Sequence, residues 1–308
     1  MKNSRILILL LAMLMIVSIS AVSAAEDIAA DADLSISDYS TSLKVEESLD
    51  DIQADDESDK LDDSVDTGNN FTSLQSLIDV EEKELTLEKD YIRVDGDKDI
   101  QINKNFTVDG KGKYTVDARK LGGIFNVAAG NTLTLKNLTL INGNATEAGG
   151  AILNIYGEIL VYDCKFINNT AEAGGAIANA GLSTIVNSQF ENNHAEIGGA
   201  IASVDSVLNV SGSKFINNSA VDGGGAIAAT KEASISNSIF DNNTADQGGA
   251  IILGEGNNFR VSDSNFTNNK ANTFGGAIEL NNTQTTVEGS TFYGNTAKTV
   301  QPFIMRVI

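Results

Sequence analysis

The sequence predicts an all-β fold, a parallel β-helix with three short strands per rung and a short helix capping its N-terminal end. Two motifs predict it: Gly-Gly-Ala-Ile occurs six times, and Phe-x-x-Asn occurs six times in step with it, at intervals of 24 to 27 residues. A period of this length is typical of a solenoid, whose repeats bury apolar surface by stacking on one another. The motifs begin at Gly149, Gly174, Gly198, Gly224, Gly248 and Gly275, and at Phe166, Phe190, Phe215, Phe240, Phe266 and Phe292.

Residues 1–25 have the pattern of a secretory signal peptide. Lys2 and Arg5 precede an apolar run, residues 6–19, and small residues follow this run as far as Ala25. The run is short for a membrane span, so we expect the segment to be removed; an uncleaved membrane anchor is the alternative. No later stretch is apolar over a comparable length, so we expect no transmembrane segment in the mature chain.

Residues 26–70 are predicted to be a disordered acidic linker. They contain sixteen Asp or Glu residues against two Lys, and they carry two thirds of the net charge of −21. Few large apolar residues and no hydrophobic period are present, so the stretch cannot bury a core of its own. So acidic a chain repels the phosphates of nucleic acid, and we expect no nucleic-acid partner.

Residues 71–135 are predicted to form the N-terminal cap and a set of irregular rungs. Apolar residues recur at helical intervals over 71–80, where a short helix would cover the strand edges at the open end of the stack. These residues are Phe71, Leu74, Leu77 and Ile78. Strand-like alternation follows at residues 85–87, 100–102, 106–108 and 114–116. The run Gly-Gly-Ile-Phe at 122–125 resembles an early copy of the first motif.

Residues 136–308 are predicted to form the regular rungs, in which each position relative to the Phe has its own residue type. Five residues before the Phe stands a β-branched aliphatic, and two before it stands Ser, except at Cys164. A straight strand cannot turn both of these and the Phe to one side, so we expect a left-handed corner between them. The residues three before the Phe tolerate that conformation. They are Asp163, Asn187, Gly212, Asn237, Asp263 and Gly289, and Asn137 holds the same position before Leu140, one rung earlier.

The two motifs themselves predict the rest of each rung. The Gly-Gly pair opens a third strand with a buried Ile, and the Asn of Phe-x-x-Asn forms a ladder that satisfies backbone groups at another corner. The ladder consists of Asn169, Asn193, Asn218, Asn243, Asn269 and Asn295. The apolar tail, residues 303–308, is compatible with one last strand entered at Pro302.

A polysaccharide lyase or hydrolase of the pectin-lyase-like β-helix type is the alternative from another functional class. Such sites combine clustered carboxylates, commonly with Ca²⁺, and an Arg or Lys base. Arg260 is the only arginine between residues 136 and 299, and the nearest approach to a cluster is Arg93 and Arg119 beside upstream aspartates. These are Asp95, Asp97, Asp109 and Asp117. Because this constellation is weak, we expect no catalytic residues, no cofactor and no enzymatic activity.

The single histidine and the single cysteine indicate no reactive centre. His194 falls where other rungs have Thr, Ser or Lys, so we expect an exposed loop substituent; without a partner it forms no catalytic triad. Cys164 falls in the Ser column, where we expect a small buried substitute, and it excludes an intrachain disulfide. The Gly pairs lack the Gly-Lys-Ser/Thr of a phosphate loop.

An acidic column two residues before the Gly-Gly pairs is the one candidate for a metal site. It consists of Glu147, Glu172, Glu196, Asp222 and Asp246, and Thr273 interrupts it. Stacked rungs would place these carboxylates about 4.8 Å apart, where like charges repel by about 1 kcal/mol even in water. Two interpretations are open: a solvated acidic edge, or a ladder that loosely holds Ca²⁺ through its carboxylate oxygens.

Asn-x-Ser/Thr sequons are frequent, and a secreted protein can be glycosylated at them. A repeat rich in Asn, Ser and Thr also produces sequons by chance, so we expect use at some loop positions at most. They begin at Asn70, Asn105, Asn137, Asn144, Asn168, Asn209, Asn217, Asn242, Asn265 and Asn281.

The paired motifs resemble the repeats of chlamydial polymorphic outer membrane proteins, because both motifs recur together in a fixed phase. Upstream, residues 102–110, 123–127 and 133–140 are similar to adhesin-like surface proteins of methanogenic archaea. The resemblance covers about residues 71–297, and it implies a right-handed β-helix exposed at the cell surface with a role in adhesion.

The expected function is therefore binding, without enzymatic activity, by a secreted or cell-surface protein. The partners would be glycans or proteins on the surface of other cells, bound through the outer faces of the β-helix, and association with a cell wall or envelope is compatible with this. A purely structural cell-wall component is a further alternative, since outward-facing loop residues carry no motif that would identify a ligand.

Overall fold

The computed structural model describes residues 68–254, 258–281 and 284–299, which form one helix, α1 at Phe71–Val80, and 31 strands, numbered β1 to β31 in chain order. The predicted signal peptide, the linker as far as residue 67 and the tail from residue 300 lie outside these residues. Each strand stacks in parallel on the corresponding strand of the next repeat, so the predicted parallel β-helix is confirmed. Within the described part of the chain, no helix is long and apolar enough to cross a membrane.

Three sheets run along the stack, and their inward side chains form one apolar core. Sheet 1 contains β1 Glu84–Thr86, β4 Phe106–Asp109, β7 Thr132–Lys136, β10 Glu158–Tyr162, β13 Leu182–Val186, β17 Val207–Ser211, β21 Glu232–Ser236, β25 Phe259–Ser262 and β29 Thr285–Glu288. Sheet 2 contains β2 Tyr91–Ile92, β5 Thr115–Asp117, β8 Thr139–Ile141, β11 Lys165–Ile167, β14 Gln189–Glu191, β18 Lys214–Ile216, β22 Ile239–Asp241, β26 Asn265–Thr267 and β30 Thr291–Tyr293. Sheet 3 contains β3 Ile100–Ile102, β6 Phe125–Val127, β9 Ile152–Asn154, β12 Ile177–Asn179, β16 Ile201–Ser203, β20 Ile227–Ala229, β24 Ile251–Leu253 and β28 Ile278–Leu280.

A fourth, shorter sheet departs from the predicted three strands per rung. Sheet 4 contains β15 His194–Ile197, β19 Ser219–Gly223, β23 Thr244–Gln247, β27 Lys270–Phe274 and β31 Thr296–Ala297. The prediction that His194 belongs to a loop is therefore wrong. Along β15 exposed and buried residues alternate: His194 and Glu196 face solvent, whereas Ala195 and Ile197 are buried. Ile197 packs with Ala178 on the outer face of sheet 3, in a second, smaller apolar cluster.

Helix α1 caps the N-terminal end of the stack, as predicted. It contacts β1, β2 and β3, and the Asn70 side chain accepts a hydrogen bond of 2.8 Å from the backbone of its first turn. Phe71, Leu74 and Ile78 are fully buried, but Leu77 is 36% exposed. The helical period therefore identifies the buried face correctly at three of its four positions.

The interior columns follow the predicted pattern. The Phe rings stack with centroids 4.7–4.8 Å apart and planes within 6° of parallel, which is the spacing of neighbouring strands. The rings from Phe166 to Phe266 are fully buried, whereas Phe292, in the last described rung, is 47% exposed. The aliphatic column is likewise buried from Val161 to Val261.

The corners between sheets 1 and 2 adopt the predicted left-handed backbone. All seven predicted corner residues have positive φ, from 48° to 61°. The Gly-Gly pairs form another corner, at which the first glycine has a φ of 59° to 67°. At the second glycine the backbones of neighbouring rungs approach so closely that a Cβ on Gly199 would collide with the carbonyl oxygen of Gly225. Only glycine fits there.

Two polar ladders satisfy the backbone inside the corners. The Asn193 Oδ1 accepts hydrogen bonds from the Asn169 backbone N–H and Nδ2, both at 3.0 Å, and its own Nδ2 donates to the Phe166 carbonyl. The same pattern repeats through Asn269. A parallel ladder joins the Ser hydroxyls to the backbone N–H of the preceding rung, at 3.1 to 3.2 Å. Each rung therefore fixes the register of the next.

Candidate functional site

A shallow groove on the outer surface is the candidate binding site. It lies where the chain leaves sheet 3 and enters sheet 1, and its volume is about 370 Å³. We call it the corner groove and define it by Tyr156, Glu158, Leu182, Asp205, Val207 and Lys231, which come from neighbouring rungs. The groove therefore runs along the axis of the β-helix.

The turn that builds the corner groove has a left-handed residue in several rungs. Strands β7, β10, β13 and β17 pair without a shift, so Gly130, Tyr156, Ala180 and Asp205 occupy the same position of successive turns. The φ angles of Gly130, Tyr156 and Asp205 are 76°, 56° and 46°. Gly and Asp adopt this conformation readily, whereas a bulky aromatic residue rarely does.

The surface of the corner groove combines apolar and charged groups. Tyr156 is 52% exposed and Leu182 53% exposed, and both stand among the large apolar side chains with the most surface in the described residues. Asp205 and Lys231 form an exposed ion pair, with Oδ1 and Nζ 3.3 Å apart. The half-buried Glu158 accepts a hydrogen bond of 3.2 Å from the Thr132 hydroxyl. Such a mixture can hold a partly apolar, hydroxyl-rich ligand.

A buried polar network forms the floor beneath the groove. Asn154 Nδ2 donates to Asn179 Oδ1 at 2.7 Å, and Asn179 Nδ2 donates to the hydroxyls of Ser203 and Ser206 at 3.3 and 3.1 Å. These side chains are at most 5% exposed. A network with its groups paired in this way rigidifies the turn on which the groove is built.

Sequence reasoning missed the corner groove. Its residues differ in type from rung to rung, so they form no column that a repeat alignment would reveal. The available signal was indirect: Asn154, Asn179 and Ser203 stand two residues after the Ile of the third strand, at a position where other rungs have apolar residues.

The acidic column occupies one register position, as its sequence spacing predicts. The residues that directly follow it are paired in register between rungs, at Ala148, Ala173, Ile197, Gly223, Gln247 and Phe274. Glu147, Glu172 and Glu196 are exposed, whereas Asp222 and Asp246 are half-buried. Over residues 68–254, 258–281 and 284–299, no three His, Cys, Asp or Glu side chains are grouped to hold one metal ion. Binding of Ca²⁺ along the column stays a prediction.

A second groove lies beside the acidic column, at the start of sheet 4. Its volume is about 350 Å³, and Thr170, Glu172, His194 and Glu196 are among its lining residues. His194 is exposed, and its Nδ1 lies 2.9 Å from the Ser219 hydroxyl. Since two carboxylates line this groove, it disfavours an anionic ligand.

Arg93, one of the two arginines beside the upstream aspartates, has a structural role. It is 7% exposed, and its Nη1 donates to Asp99 at 2.5 Å and to the Gly123 carbonyl at 2.6 Å. Its Nη2 donates to the Asp97 carbonyl at 2.8 Å, and the guanidinium lies 5.7 Å from the Phe71 ring centroid. These contacts fix the cap and the first rungs together.

The upstream aspartates are likewise engaged with the backbone. Asp97 accepts hydrogen bonds from the first turn of α1, and Asp109 and Asp117 each accept one from the N–H two residues on. Burial would raise the pKa of Asp97, but hydrogen bonds from the Thr72 hydroxyl and three backbone N–H groups outweigh it and hold the pKa below its ordinary value. Arg119 and Asp95 are exposed. The structure therefore does not bring Arg93, Arg119 and the four upstream aspartates together into one catalytic site.

Cys164 lies in the Ser ladder, at the position its sequence predicts. Its backbone N–H donates to the Ser188 hydroxyl at 3.2 Å, and its thiol contacts the Tyr162 carbonyl at the same distance. Burial raises the pKa of the thiol to about 12. A thiol with so high a pKa is protonated at neutral pH and is a poor nucleophile.

Comparisons with known proteins confirm the repeat. A family model described as the Chlamydia polymorphic membrane protein repeat matches residues 237–252 and 263–280. Two solved structures, the PL6 family alginate lyase AlyGC and a point mutant of it, are similar at 16% identity and a TM-score of 0.47. The matches cover 74% and 75% of this chain but only 38% of each lyase chain, so this chain spans well under half the lyase's length. No curated protein matches the chain.

Proposed function

We propose that this chain is a secreted, adhesin-like protein of the cell surface, without enzymatic activity, which binds surface glycans or proteins of other cells through the outer faces of its β-helix. The observation that carries this proposal is the corner groove. Its two half-exposed apolar side chains stand on a scaffold whose interior columns and ladders are buried from Val161 to Asn269. A rigid scaffold that presents exposed apolar groups beside polar ones suits recognition of a partner.

The placement at the cell surface draws on three features. The N-terminal segment resembles a signal peptide, the chain is strongly acidic, and part of the repeat matches a family of membrane proteins. The likeness of the upstream rungs to archaeal adhesin-like proteins supports the same proposal. Association with a cell wall or envelope is compatible with it.

A polysaccharide lyase is the competing enzyme. The contacts of Arg93 argue against a lyase. Its guanidinium is bound by Asp99 and two backbone carbonyls, so it is not free to accept a proton from a substrate. The Arg260 guanidinium is paired with Glu288 on the next strand. These contacts favour a binding protein over a lyase.

An array of glycans and cell-surface proteins, probed with the purified full-length chain, tests the proposal. We expect saturable binding to at least one class of surface molecule and no release of unsaturated products from polyuronates. Binding to none of them would favour a purely structural wall component. Cleavage of a polyuronate would establish the lyase instead.

A further inference from the structure

We propose that the corner groove is a binding site for neutral glycan chains, with Tyr156 as the side chain on which a sugar ring stacks. This inference rests on the proposed function, since it assigns the ligand class and the contact residue for one of the outer faces.

The first observation is the backbone of Tyr156. From residue 136 onward, every other non-glycine residue described with positive φ is Asn or Asp. These residues tolerate the left-handed region, whereas a bulky side chain is strained in it. Strained residues persist where the surroundings enforce them and are frequent at binding sites, so an observed outlier motivates a functional hypothesis.

The second observation is that the Tyr156 side chain has little structural use. It is 52% exposed, and among the described residues its hydroxyl has no hydrogen-bond partner and its ring stacks on no other ring. Gly130 shows that the same turn forms without a side chain. The packing inside the protein therefore does not explain why a tyrosine stands here.

The third observation is the surface that extends from the ring. Leu182 and Val207 occupy one register position in successive rungs, so they continue the apolar surface along the axis. From the rung of Gly130 to the rung of Lys231 the groove spans about 19 Å at the spacing of stacked strands. An extended chain of sugar rings, each with an apolar face and a hydroxyl-bearing rim, matches this shape.

Charge decides which glycans fit. Asp205 and Lys231 neutralise each other at 3.3 Å, so Glu158 leaves the groove with one net negative charge. A polyuronate would be repelled by that charge, whereas a neutral sugar finds acceptors in the carboxylates and donors in the lysine ammonium. The groove therefore favours neutral glycans over anionic ones.

The experiment measures binding of the full-length protein to neutral tetrasaccharides and to polyuronate tetrasaccharides by titration calorimetry. The variants are Tyr156→Gly, Tyr156→Phe and, as a control, Tyr293→Ala, an exposed tyrosine outside the groove. We expect neutral-glycan affinity to fall about tenfold or more in Tyr156→Gly, because stacking on the ring is lost. Tyr293→Ala should bind as the unmodified protein does, and Tyr156→Phe, which keeps the ring, should bind more tightly than Tyr156→Gly. The melting temperature of Tyr156→Gly should be unchanged or higher, because the backbone strain is relieved.

Each contrary result has a distinct meaning. If a neutral glycan binds and Tyr156→Gly binds it equally well, the groove is not the site, although the adhesin-like function stands. If only polyuronates or proteins bind, the assignment to neutral glycans is overturned and the function again stands. If Tyr156→Gly fails to bind and also melts at a lower temperature, Tyr156 is structural and the proposal is wrong. If the protein binds nothing, both proposals fail.

Discussion

The Phe column offers a direct measure of how the stack is held together. Phe215 is fully buried between two parallel rings, with centroids 4.8 Å from those of Phe190 and Phe240. The substitution Phe215→Ala removes ring contacts on both faces and leaves a cavity that neighbouring backbones, fixed by the Asn and Ser ladders, cannot close. We expect the free energy of unfolding to fall by about 3–5 kcal/mol, near the upper part of the range for such changes.

Two control variants calibrate that value. Phe292 is 47% exposed and stacks on one ring only, so Phe292→Ala should cost about half as much, about 1.5–2.5 kcal/mol. Lys214 is exposed beside Phe215, and Lys214→Ala should change the stability by less than about 0.5 kcal/mol. Urea unfolding followed by circular dichroism gives the free energies for all three. Equal, small losses at Phe215 and Lys214, or a larger loss at Phe292 than at Phe215, would refute the stacking argument.

The remaining predictions concern a corner, a buried carboxyl group and the acidic column. Asn237→Val should destabilise by about 1–3 kcal/mol, because a β-branched residue is strained at positive φ, whereas Asn237→Gly should cost a few tenths; equal melting temperatures would exclude a left-handed corner. Burial raises the pKa of Glu279 above its ordinary value, so its ionisation opposes folding as the pH rises through that pKa. Glu279→Gln should therefore raise the melting temperature at about pH 8 and leave it unchanged at about pH 3, and a gain of the same size at both would contradict the effect of burial. If the acidic column holds Ca²⁺, millimolar Ca²⁺ should raise the melting temperature more than NaCl of matched ionic strength, and the triple variant Glu172→Gln, Glu196→Gln and Asp222→Asn should abolish the excess. If the column is a solvated acidic edge, both salts should act alike on the unmodified protein.

The sequence predicts the inside of the β-helix well because each interior position is under the same constraint in every rung. A ring stacked every 4.8 Å, a left-handed corner and a buried Asn ladder admit few residue types, so columns such as those through Phe215, Asn237 and Asn193 are visible as repeats. The capping helix over 71–80 is predictable from the helical spacing of its buried residues, Phe71, Leu74 and Ile78.

The outside of the protein is less predictable, because neighbouring rungs need not share a residue type there. The sequence does not predict sheet 4, because its strands begin only at His194. The two preceding rungs have only single bridges in their place, at Asn144 and Ala148 in one rung and at Thr170 and Ala173 in the next. Tyr156 is the only aromatic residue at its position of the turn, and Leu182 shares its position with Glu158 and Val207, so no column of like residues marks them in the sequence. Arg93 and Arg119 lie near several aspartates in the sequence, but sequence distance does not reveal that Asp99 binds Arg93.

A crystal structure of the full-length protein with a bound neutral oligosaccharide tests most directly the proposal that a neutral glycan lies on the corner groove against Tyr156. We expect one sugar ring parallel to the Tyr156 ring at about 4 Å, with its hydroxyls within hydrogen-bond distance of Asp205 or Lys231. A sugar bound on sheet 2 or beside the acidic column, with the Tyr156 ring uncovered, would contradict it.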